Sequence, residues 1–386
     1  MPDYEVLIVG AGPAGAVAAT VAARAGLRVG LIDRATFPRH KLCGDTLNPG
    51  VLAIFRRLAL TTVAEGCGLR VDGMILTGEN GVRIEGRYPD GLHGRAITRA
   101  DLDWALVRDA IAAGADFVDA TTVIEPIVEG AGHPAQVCGV VAQSHGVRRA
   151  IRAAVTIGAD GRHSTLGFAL GLTRHPARPR RWAVGVYAER VAGMSAFGEM
   201  HIRRGHYIGV APMPDGVTNV CLVKPSAGAD PDLRDPAATL KAVLSADAVL
   251  GARFARARWL APPTVIGPVA VDPVGTRPVP DGLLLAGDAA GFVDPMTGDG
   301  LRFAVRGGEL AASAAVRVLE RGWAGVQARL AAARHREFAS KWRFNRTLRA
   351  LVGSPLAVRA ATAGAPYLGP ILRAIIRRAS DCDLTD

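Results

Sequence analysis

The segment that most constrains the fold is a glycine turn near the N-terminus. The apolar run YEVLIV leads directly into GAGPAG, whose glycines are Gly10, Gly12 and Gly15. An Ala-rich helical pattern follows, and a second apolar run, LRVGLID, ends on Asp33. In such a unit the first glycine permits a tight turn, the second lets a phosphate approach the backbone, and the third lets helix and strand pack closely. The spacing therefore predicts a dinucleotide-binding strand–turn–helix–strand unit.

Individual residues of this unit have predicted roles in nucleotide binding. Pro13 and Ala14 open the helix, whose free backbone N–H groups and dipole favour a pyrophosphate at its N-terminus. Asp33 lies 18 residues beyond Gly15, where a carboxylate can accept hydrogen bonds from a ribose. Arg34, the next residue, is a further candidate contact to the nucleotide. The turn alone does not distinguish FAD from NAD.

Three later motifs extend the pattern. Residues 37–45 read FPRHKLCGD, residues 158–164 read GADGRHS, and Gly287-Asp288 follow the apolar run GLLLA. With the glycine turn, in this order and spacing, they resemble the FAD-dependent oxidoreductases of the p-hydroxybenzoate hydroxylase fold, within them the geranylgeranyl reductase and flavin-halogenase branch. The resemblance covers residues 4 to about 320. It implies an α/β protein with a Rossmann-type FAD-binding domain, an inserted mixed or antiparallel β-sheet that binds substrate, and a C-terminal helical segment.

The resemblance also implies cofactor-binding roles. Arg99 matches the arginine that opens a helix and reaches the phosphate and ribityl region of the flavin. Asp160 and Gly161 match the Asp-Gly motif that links flavin and nicotinamide binding, whereas the carboxylate of Asp288 matches the one that holds the ribityl chain. The other expected FAD contacts are Arg39, Lys41, Cys43, Gly44, Gly287, Pro295, Gly298, Asp299, Gly300 and Leu301.

Beyond the Gly-Asp motif, the loop DPMTGDG precedes a helix that starts near Gly300. The N-terminal N–H groups of this helix would point at the pyrimidine end of the flavin, where negative charge accumulates on reduction. A capping role competes for the polar residues: Asp294 can order the turn before Pro295, while Thr297 and Asp299 are candidate helix caps. For Asp299 the cap is the preferred interpretation.

Three residues are candidates for positions near the reacting ring. Cys43 lies in the turn that the family places beside the isoalloxazine, where it either tunes the flavin or packs as a small hydrophobe. Arg302, one turn into the later helix, is expected to face an anionic or carbonyl-bearing substrate. Tyr207 belongs to YIGVAP, which resembles the YxWxFP stretch of geranylgeranyl reductases. Gly209 and Ala211 take the Trp and Phe places, so a roomier and less aromatic pocket is expected.

Two basic residues in the FPRHKLCGD motif have competing interpretations. Arg39 and Lys41 can pair with the FAD phosphates or with incoming NAD(P)H. A solvated loop explains them equally well.

The cysteine and histidine patterns exclude several other sites. The five cysteines are scattered, without a CxxC pair, and the nine histidines lack HExxH spacing. We therefore expect no disulfide framework, zinc site or iron–sulfur cluster, and a reducing, cytoplasmic location.

Basic residues are concentrated near the C-terminus. Residues 321–386 hold twelve Lys/Arg against four Asp/Glu and carry most of the net charge of +11. Only four of the 46 basic residues are lysines, a bias that often reflects genome composition, and no nucleic-acid partner is expected. The helical patterns at 329–351 and 371–378 either rest on an anionic membrane surface or form a packed helical cap.

These patterns predict three regions. The FAD-binding domain comprises residues 1–70, 95–170 and 270–328, and the substrate-binding domain comprises residues 71–94 and 171–269. Residues 329–386 form the basic C-terminal region. Within 171–269, the sequence predicts strands in RWAVGVYAERV, GEMHIRRGHYIGVAPMP and GVTNVCLVKP, followed by a helical stretch over 231–259.

The expected reaction begins with NAD(P)H as transient hydride donor to FAD. Oxygenation needs few dedicated side chains because the cofactor carries the difficult chemistry, which favours a monooxygenase acting on a hydrophobic aromatic, quinone-like or polyketide molecule. The Cys-Gly turn instead points towards reduction of carbon–carbon double bonds in an isoprenoid or lipid. Electron transfer to a membrane quinone is a third alternative. Halogenation is not expected, because neither a WxWxIP motif nor the halogenase lysine is evident.

Overall fold

The computed structural model of the protein describes residues 2–60, 68–78, 82–89, 91–130, 135–177, 180–226, 231–275, 277–292, 298–352, 354 and 369–382. Cys67, Asp294, Pro295 and Thr297 lie outside these ranges.

Twenty strands and nine α-helices occur in the described part of the chain. The strands are β1 (Tyr4–Val9), β2 (Val29–Ile32), β3 (Thr46–Leu47), β4 (Leu69–Val71), β5 (Gly73–Thr77), β6 (Arg83–Arg87), β7 (Gly94–Ala96), β8 (Asp116–Val118), β9 (Thr122–Glu129), β10 (Gln136–Ser144), β11 (Val147–Gly158), β12 (Thr173–Arg174), β13 (Arg180–Glu189), β14 (Phe197–Arg203), β15 (His206–Pro212), β16 (Thr218–Ser226), β17 (Arg258–Trp259), β18 (Thr264–Ile266), β19 (Asp272–Pro273) and β20 (Leu283–Leu285). The helices are α1 (Pro13–Arg24), α2 (Pro49–Arg57), α3 (Arg99–Ala112), α4 (Thr165–Ala169), α5 (Pro236–Ala246), α6 (Leu250–Phe254), α7 (Gly300–Arg321), α8 (Val326–Val352) and α9 (Gly369–Ala379).

The first sheet contains the N-terminal glycine turn. Its strand order is β8-β2-β1-β11-β10-β9, with β20 beside β11. Strand β1 is parallel to both neighbours, and Val6 pairs with Val29 on one side and Val155 on the other. Buried aliphatic side chains of β1, α1, α3 and α7 form the largest core. The predicted α/β fold class is confirmed, and β1 has the bounds that its apolar run predicts.

Helices α1 and α7 pack unusually closely. A Cβ atom added at Gly308 of α7 would lie 2.1 Å from the carbonyl oxygen of Ala14, far inside van der Waals contact. Next to it, a Cβ at Gly307 would meet nothing closer than 3.4 Å. Only glycine therefore fits at position 308, and this contact sets the position of α1 against the helix that follows the Gly-Asp motif.

The second sheet has strand order β17-β13-β16-β15-β14-β5-β6, with β18 beside β13. Strands β13 to β16 are antiparallel, whereas β14 is parallel to β5, so the sheet is mixed. Strand side chains alternate between the two faces of a sheet. One face carries Ile208 and Leu222 and packs on Leu240 of α5, while Tyr207 and Cys221 lie on the opposite face.

Two predicted segments are divided in the structure. The run at 198–214 is a hairpin rather than one strand, because Gly205 turns the chain with φ of +84°. The helical stretch predicted over 231–259 contains α5 and α6, separated at Asp247, and its last two residues form strand β17 instead. The Asp247 carboxylate accepts hydrogen bonds from the backbone N–H groups of Val249 and Leu250, both at 2.9 Å, and so caps a new helix.

The last helix is packed rather than free. Ile376 of α9 lies over Gly86 of β6, so closely that a Cβ at Gly86 would meet its side chain at 2.6 Å. Beyond α9, Cys382 is buried with Tyr88 and Val71. This part of the C-terminal region is therefore a helical cap. Of the helices in the described ranges, none combines the length and the apolar character needed to cross a membrane.

Candidate active site

A cavity of about 570 Å³ lies where the two sheets and α9 meet. Most of the residues predicted to bind the cofactor or substrate line it. They are Gly12, Pro13, Ala14, Lys41, Cys43, Gly44, Arg99, Gly161, Tyr207, Gly287, Asp288, Gly298, Gly300 and Leu301. The structure thus brings together motifs that are separated by almost 300 residues of sequence.

The glycine turn has the tight geometry that phosphate binding requires. Gly10 has φ of +99°, and a Cβ at Gly15 would lie 1.8 Å from the Gly10 carbonyl oxygen, so neither position accepts a side chain. Helix α1 follows with Gly12 as its N-cap, no side-chain cap and no acidic residue in its first turn. Its first N–H groups are consequently available to an anion.

Asp33 supports this turn. Its carboxylate accepts hydrogen bonds from the backbone N–H groups of Ala11 at 2.7 Å and Ala35 at 2.8 Å. Two carboxylate oxygens offer about four acceptor positions, so these bonds leave capacity for ribose hydroxyls. Arg34, beside Asp33, is exposed to solvent and lies outside the cavity lining.

Two arginines adjoin the glycine turn, and Arg99 is buried while Arg39 is half-buried. Arg99, at the start of α3, donates two hydrogen bonds to Asp103, at 2.8 and 2.7 Å. Arg39 approaches the same Asp103 at 3.0 Å and lies beside Gly12, with burial lowering its pKa. These arginines place positive charge where the resemblance predicts the FAD phosphates.

Lys41 is half-buried in the wall of the cavity. Burial, reinforced by the charge of Arg99, lowers its pKa to about 8, and the negative charge of Asp288 opposes this shift. These surroundings favour a role at the site over the alternative interpretation of Arg39 and Lys41 as a solvated loop, and their contact with the cofactor stays a prediction. Both side chains contribute charge inside or beside the site.

The second half of the candidate cofactor site comes from the C-terminal end of β20. Gly287 and Asp288 line the cavity there, and Gly298, Gly300 and Leu301 line it at the start of α7. The fit to FAD is good, because the N-terminus of α1, the buried Arg99 and the Asp288 carboxylate all border one space.

Asp160 stabilises the turn of the Asp-Gly motif at the edge of the cavity. One carboxylate oxygen accepts a hydrogen bond from the Thr165 backbone N–H at 2.7 Å, and burial raises the pKa of the group. Its neighbour Gly161 is the member of the Asp-Gly motif that lines the cavity. Asp160 thus shapes the turn that presents Gly161.

Two predictions for the start of α7 need correction. Asp299 occupies the N-cap position but makes no side-chain cap bond; it is fully buried and lies 3.1 Å from Lys341 Nζ. Arg302 does not face a substrate, because its guanidinium pairs with Glu337 at 2.9 Å and Asp381 at 3.4 Å. Neither residue lines the cavity. Both side chains instead join α7 to the C-terminal helices.

Asp45 is a site residue that the sequence interpretation missed. It is 1% exposed and lines the cavity, with φ of +52° immediately after the Cys-Gly turn. Tyr187 Oη and Asn219 Nδ2 each donate a hydrogen bond to its Oδ2 at 2.5 Å. Burial raises its pKa to about 7, although both hydrogen bonds oppose that shift. The available signal was the acidic end of FPRHKLCGD.

The part of the cavity farther from the glycine turn is mainly apolar. Its walls include Met74, Leu76, Ile84, Met200, Ile202 and Ile376. At Gly209, which replaces the family tryptophan, a Cβ would meet only the Cys221 carbonyl oxygen, at 3.9 Å. The wall next to Tyr207 therefore has open space above it.

The strand–turn–helix, the second half-site on β20 and the mixed sheet above them define the class: an FAD-dependent oxidoreductase. The family model described as "FAD binding domain" matches residues 3–344, and the chain belongs to this family.

Named relatives match most of the chain. Menaquinone reductase of Mycolicibacterium smegmatis is 31% identical over 328 residues, which cover 80% of this chain and 75% of the relative. Digeranylgeranylglycerophospholipid reductase of Methanoculleus marisnigri is 30% identical over 330 residues, covering 83% and 78% of the two chains. Among solved structures, a flavoprotein/dehydrogenase from Cytophaga hutchinsonii superposes with a TM-score of 0.81 at 20% identity, covering 97% of this chain and 92% of the other.

Proposed function

We propose that the protein is a flavin-dependent reductase of carbon–carbon double bonds in a hydrophobic, isoprenoid-type substrate, with NAD(P)H as the initial hydride donor. The observation that carries the proposal is the composition of the cavity. Aliphatic and thioether side chains line much of it, and a buried carboxyl, Asp45, lines it together with them and with the residues of the candidate cofactor site. Such a wall suits a flexible hydrocarbon chain.

The relatives support the same choice. Two of them are named as reductases of menaquinone and of digeranylgeranylglycerophospholipid, both of which are isoprenoid lipids. The motifs of the sequence favoured oxygenation of an aromatic, quinone-like or polyketide molecule, and this reaction begins from the same reduced cofactor. We prefer double-bond reduction because the raised pKa of Asp45 makes an acid available beside the hydrocarbon end of the cavity.

In this proposal, residues of the protein bind FAD and orient it. The α1 N-terminus and Arg39 hold the pyrophosphate, Asp33 the ribose and Asp288 the ribityl chain, while the start of α7 faces the flavin ring. When bound, FAD supplies hydride. The apolar walls exclude water, so that hydride is delivered to carbon and not lost to solvent chemistry.

Binding of FAD is tested on Asp288. We expect purified protein to show a flavin absorption band, and Asp288→Ala to weaken FAD binding at least tenfold because the variant lacks the ribityl acceptor. Asp272→Ala, at an exposed position on β19, is the matched control and should bind FAD normally. Equal FAD affinity in the two variants would contradict the assignment.

The reaction is tested by product mass. The protein with FAD and NAD(P)H is incubated with geranylgeraniol and, separately, with a menaquinone, without oxygen and in air. A gain of two hydrogens in the side chain supports the proposal. A gain of one oxygen in air would establish oxygenation instead. A reduced quinone ring with an unchanged side chain would indicate electron transfer.

Contact with an anionic membrane through the basic C-terminal region stays a prediction. A lipid substrate would give such contact a purpose, since the substrate must leave a bilayer to enter the cavity. Liposome flotation with and without anionic lipid measures it directly.

A further inference from the structure

Asp45 occupies the junction between the two halves of the active site. Its loop continues from Lys41 and Cys43, which border the cofactor side of the cavity. The groups that hold its carboxyl, Tyr187 on β13 and Asn219 on β16, belong to the second sheet. Asn219 Nδ2 also donates to the Cys43 carbonyl oxygen at 2.8 Å, so one amide anchors both ends of the Cys-Gly turn.

The hydrogen bonds of Asp45 are unequally shared between its two oxygens. Both donors converge on Oδ2, whereas Oδ1 is buried and has no hydrogen-bond partner among the described residues. A buried polar atom without a partner is costly unless something else satisfies it. A proton on Oδ1 turns this atom into a hydrogen-bond donor on a residue that lines the cavity, while Oδ2 continues to accept from Tyr187 and Asn219.

We propose that Asp45 is a catalytic residue whose Oδ1–H donates the proton that accompanies hydride transfer to the substrate. The inference rests on the proposed function. One alkene carbon receives hydride, with its two electrons, from the reduced cofactor, and the π electrons of the double bond form the second C–H bond with the Asp45 proton. The O–H bond breaks and leaves a carboxylate. The alkene is thereby reduced by two electrons, and the cofactor is oxidised by two.

The surroundings of Asp45 suit both of its protonation states. Its raised pKa, about 7, keeps the acid form populated near neutral pH. After proton transfer, the hydrogen bonds from Tyr187 and Asn219 stabilise the carboxylate, and water entering on product release returns the proton.

Two other ionisable groups of the cavity fit this role less well. Desolvation raises the pKa of the Cys221 thiol to about 12, so it is a weak proton donor. Lys41 is a cation on the cofactor side, where it interacts with Arg99 and Asp288. Asp45 combines acid strength with a position at the apolar part of the cavity.

The test compares Asp45→Asn with the wild-type holoenzyme in two half-reactions. We expect the variant to bind FAD and to accept hydride from NAD(P)H within about threefold of wild type, because Asn has the same shape and still accepts from Tyr187. Reduction of the double bond should fall by about 10²-fold to 10⁴-fold, the usual share of a general acid. In D₂O the wild-type product should carry one solvent-derived deuterium.

The pH profile provides a readout that a purely structural role would not change. Double-bond reduction by wild type should decline as the pH rises through about 7, because the acid form is the active one. The hydrogen bond from Tyr187 lowers the pKa of Asp45, so Tyr187→Phe should move this decline to higher pH. Tyr187→Phe also serves if Asp45→Asn fails to fold. Asp272→Asn is the control and should keep the wild-type profile.

The outcomes separate the two proposals. If wild type reduces double bonds and Asp45→Asn does so within threefold with an unchanged pH profile, the role of Asp45 is wrong and the proposed function stands. The role of Asp45 is equally wrong if Tyr187→Phe does not shift the decline. If wild type reduces no double bond in any substrate offered, both proposals fail.

Discussion

Lys341 Nζ lies 3.1 Å from Asp299 Oδ1 and 3.0 Å from Asp381 Oδ1, and all three side chains are buried. The same ammonium donates hydrogen bonds to the backbone carbonyl oxygens of Arg378 and Ala379, at 2.6 and 2.8 Å. Lys341 therefore joins the residue that precedes α7 to the C-terminal end of α9. The start of α7 and the end of α9, two helices that both line the cavity, are thus held by one cation.

Replacing Lys341 should destabilise the protein strongly. Lys341→Met leaves the buried Asp299 carboxylate without its cation and leaves Asp381 with Arg302 alone, at 3.4 Å. Breaking a buried ion pair from one side typically costs about 3–5 kcal/mol. Urea denaturation measures the free energy of unfolding. Lys241→Met, on the exposed surface of α5, is the matched control and should change stability by less than about 0.5 kcal/mol. Similar losses in the two variants would show that the Lys341 cluster is not a structural centre.

Adjacent glycines of α7 should respond in opposite ways to the same substitution. Gly308→Ala inserts a methyl group 2.1 Å from the Ala14 carbonyl oxygen, so the helices must separate. We expect a loss of about 1–3 kcal/mol and at least tenfold weaker FAD binding, since α1 carries the phosphate site. Gly307→Ala meets only an ordinary contact at 3.4 Å and should be neutral or stabilising by up to about 1 kcal/mol. Thermal unfolding and FAD titration of both variants check the pair, and equal behaviour would contradict the close packing.

Asp45 should make stability depend on pH. Its pKa is about 7 in the folded protein against 3.8 for the unperturbed group, so the folded state binds this proton more tightly than the unfolded chain. The contribution is therefore complete below pH 3.8 and is lost as the pH rises through about 7. The total is at most about 4 kcal/mol, from 1.36 kcal/mol per pKa unit.

The measurement is urea unfolding with saturating FAD between pH 5 and 8. Wild type should lose more stability over this range than Asp45→Asn, which has no titrating carboxyl at this position. Parallel pH curves for the two proteins would mean that Asp45 is already ionised in the folded state at pH 5.

A larger side chain at Gly209 should shorten the substrate cavity. The space above this position is open, so Gly209→Trp can enter it without displacing the backbone. We expect KM to rise at least tenfold for a geranylgeranyl substrate and to change little for a geranyl substrate, while FAD binding stays the same. Steady-state kinetics with both chain lengths decide this. Equal effects on the two substrates would show that the hydrocarbon chain does not pass β15.

Local patterns predicted the local parts of this structure. The first strand, the glycine turn and α1 follow from a run of fewer than thirty residues, because tight turns and helix starts depend on near neighbours. That Asp288, after β20, belongs to the same site as the glycine turn was predicted from the family resemblance. No pattern of neighbouring residues indicates that these two distant segments lie together. The hairpin at Gly205 and the helix break at Asp247 were missed, because one glycine and one capping carboxylate decided them.

The two main errors within the site have a common physical cause. Arg302 was assigned from its place on α7, but its partners Glu337 and Asp381 lie on later parts of the chain. Asp45 was not predicted, because its hydrogen-bond donors Tyr187 and Asn219 lie 142 and 174 residues further along the chain. A charged residue's role depends on what tertiary packing places around it, and sequence spacing does not report that.

The division of the site between the first and last parts of the chain also dictates when it can form during synthesis. Gly12 and Asp288 border the same cavity, and Ile376 closes its far side. Contacts between such distant residues form late and expose apolar surface until they do. A nascent chain therefore cannot load its cofactor until most of it has left the ribosome. A chain whose translation stops early has the glycine turn without the rest of the site. Such a fragment is expected to be inactive and to be degraded by proteases.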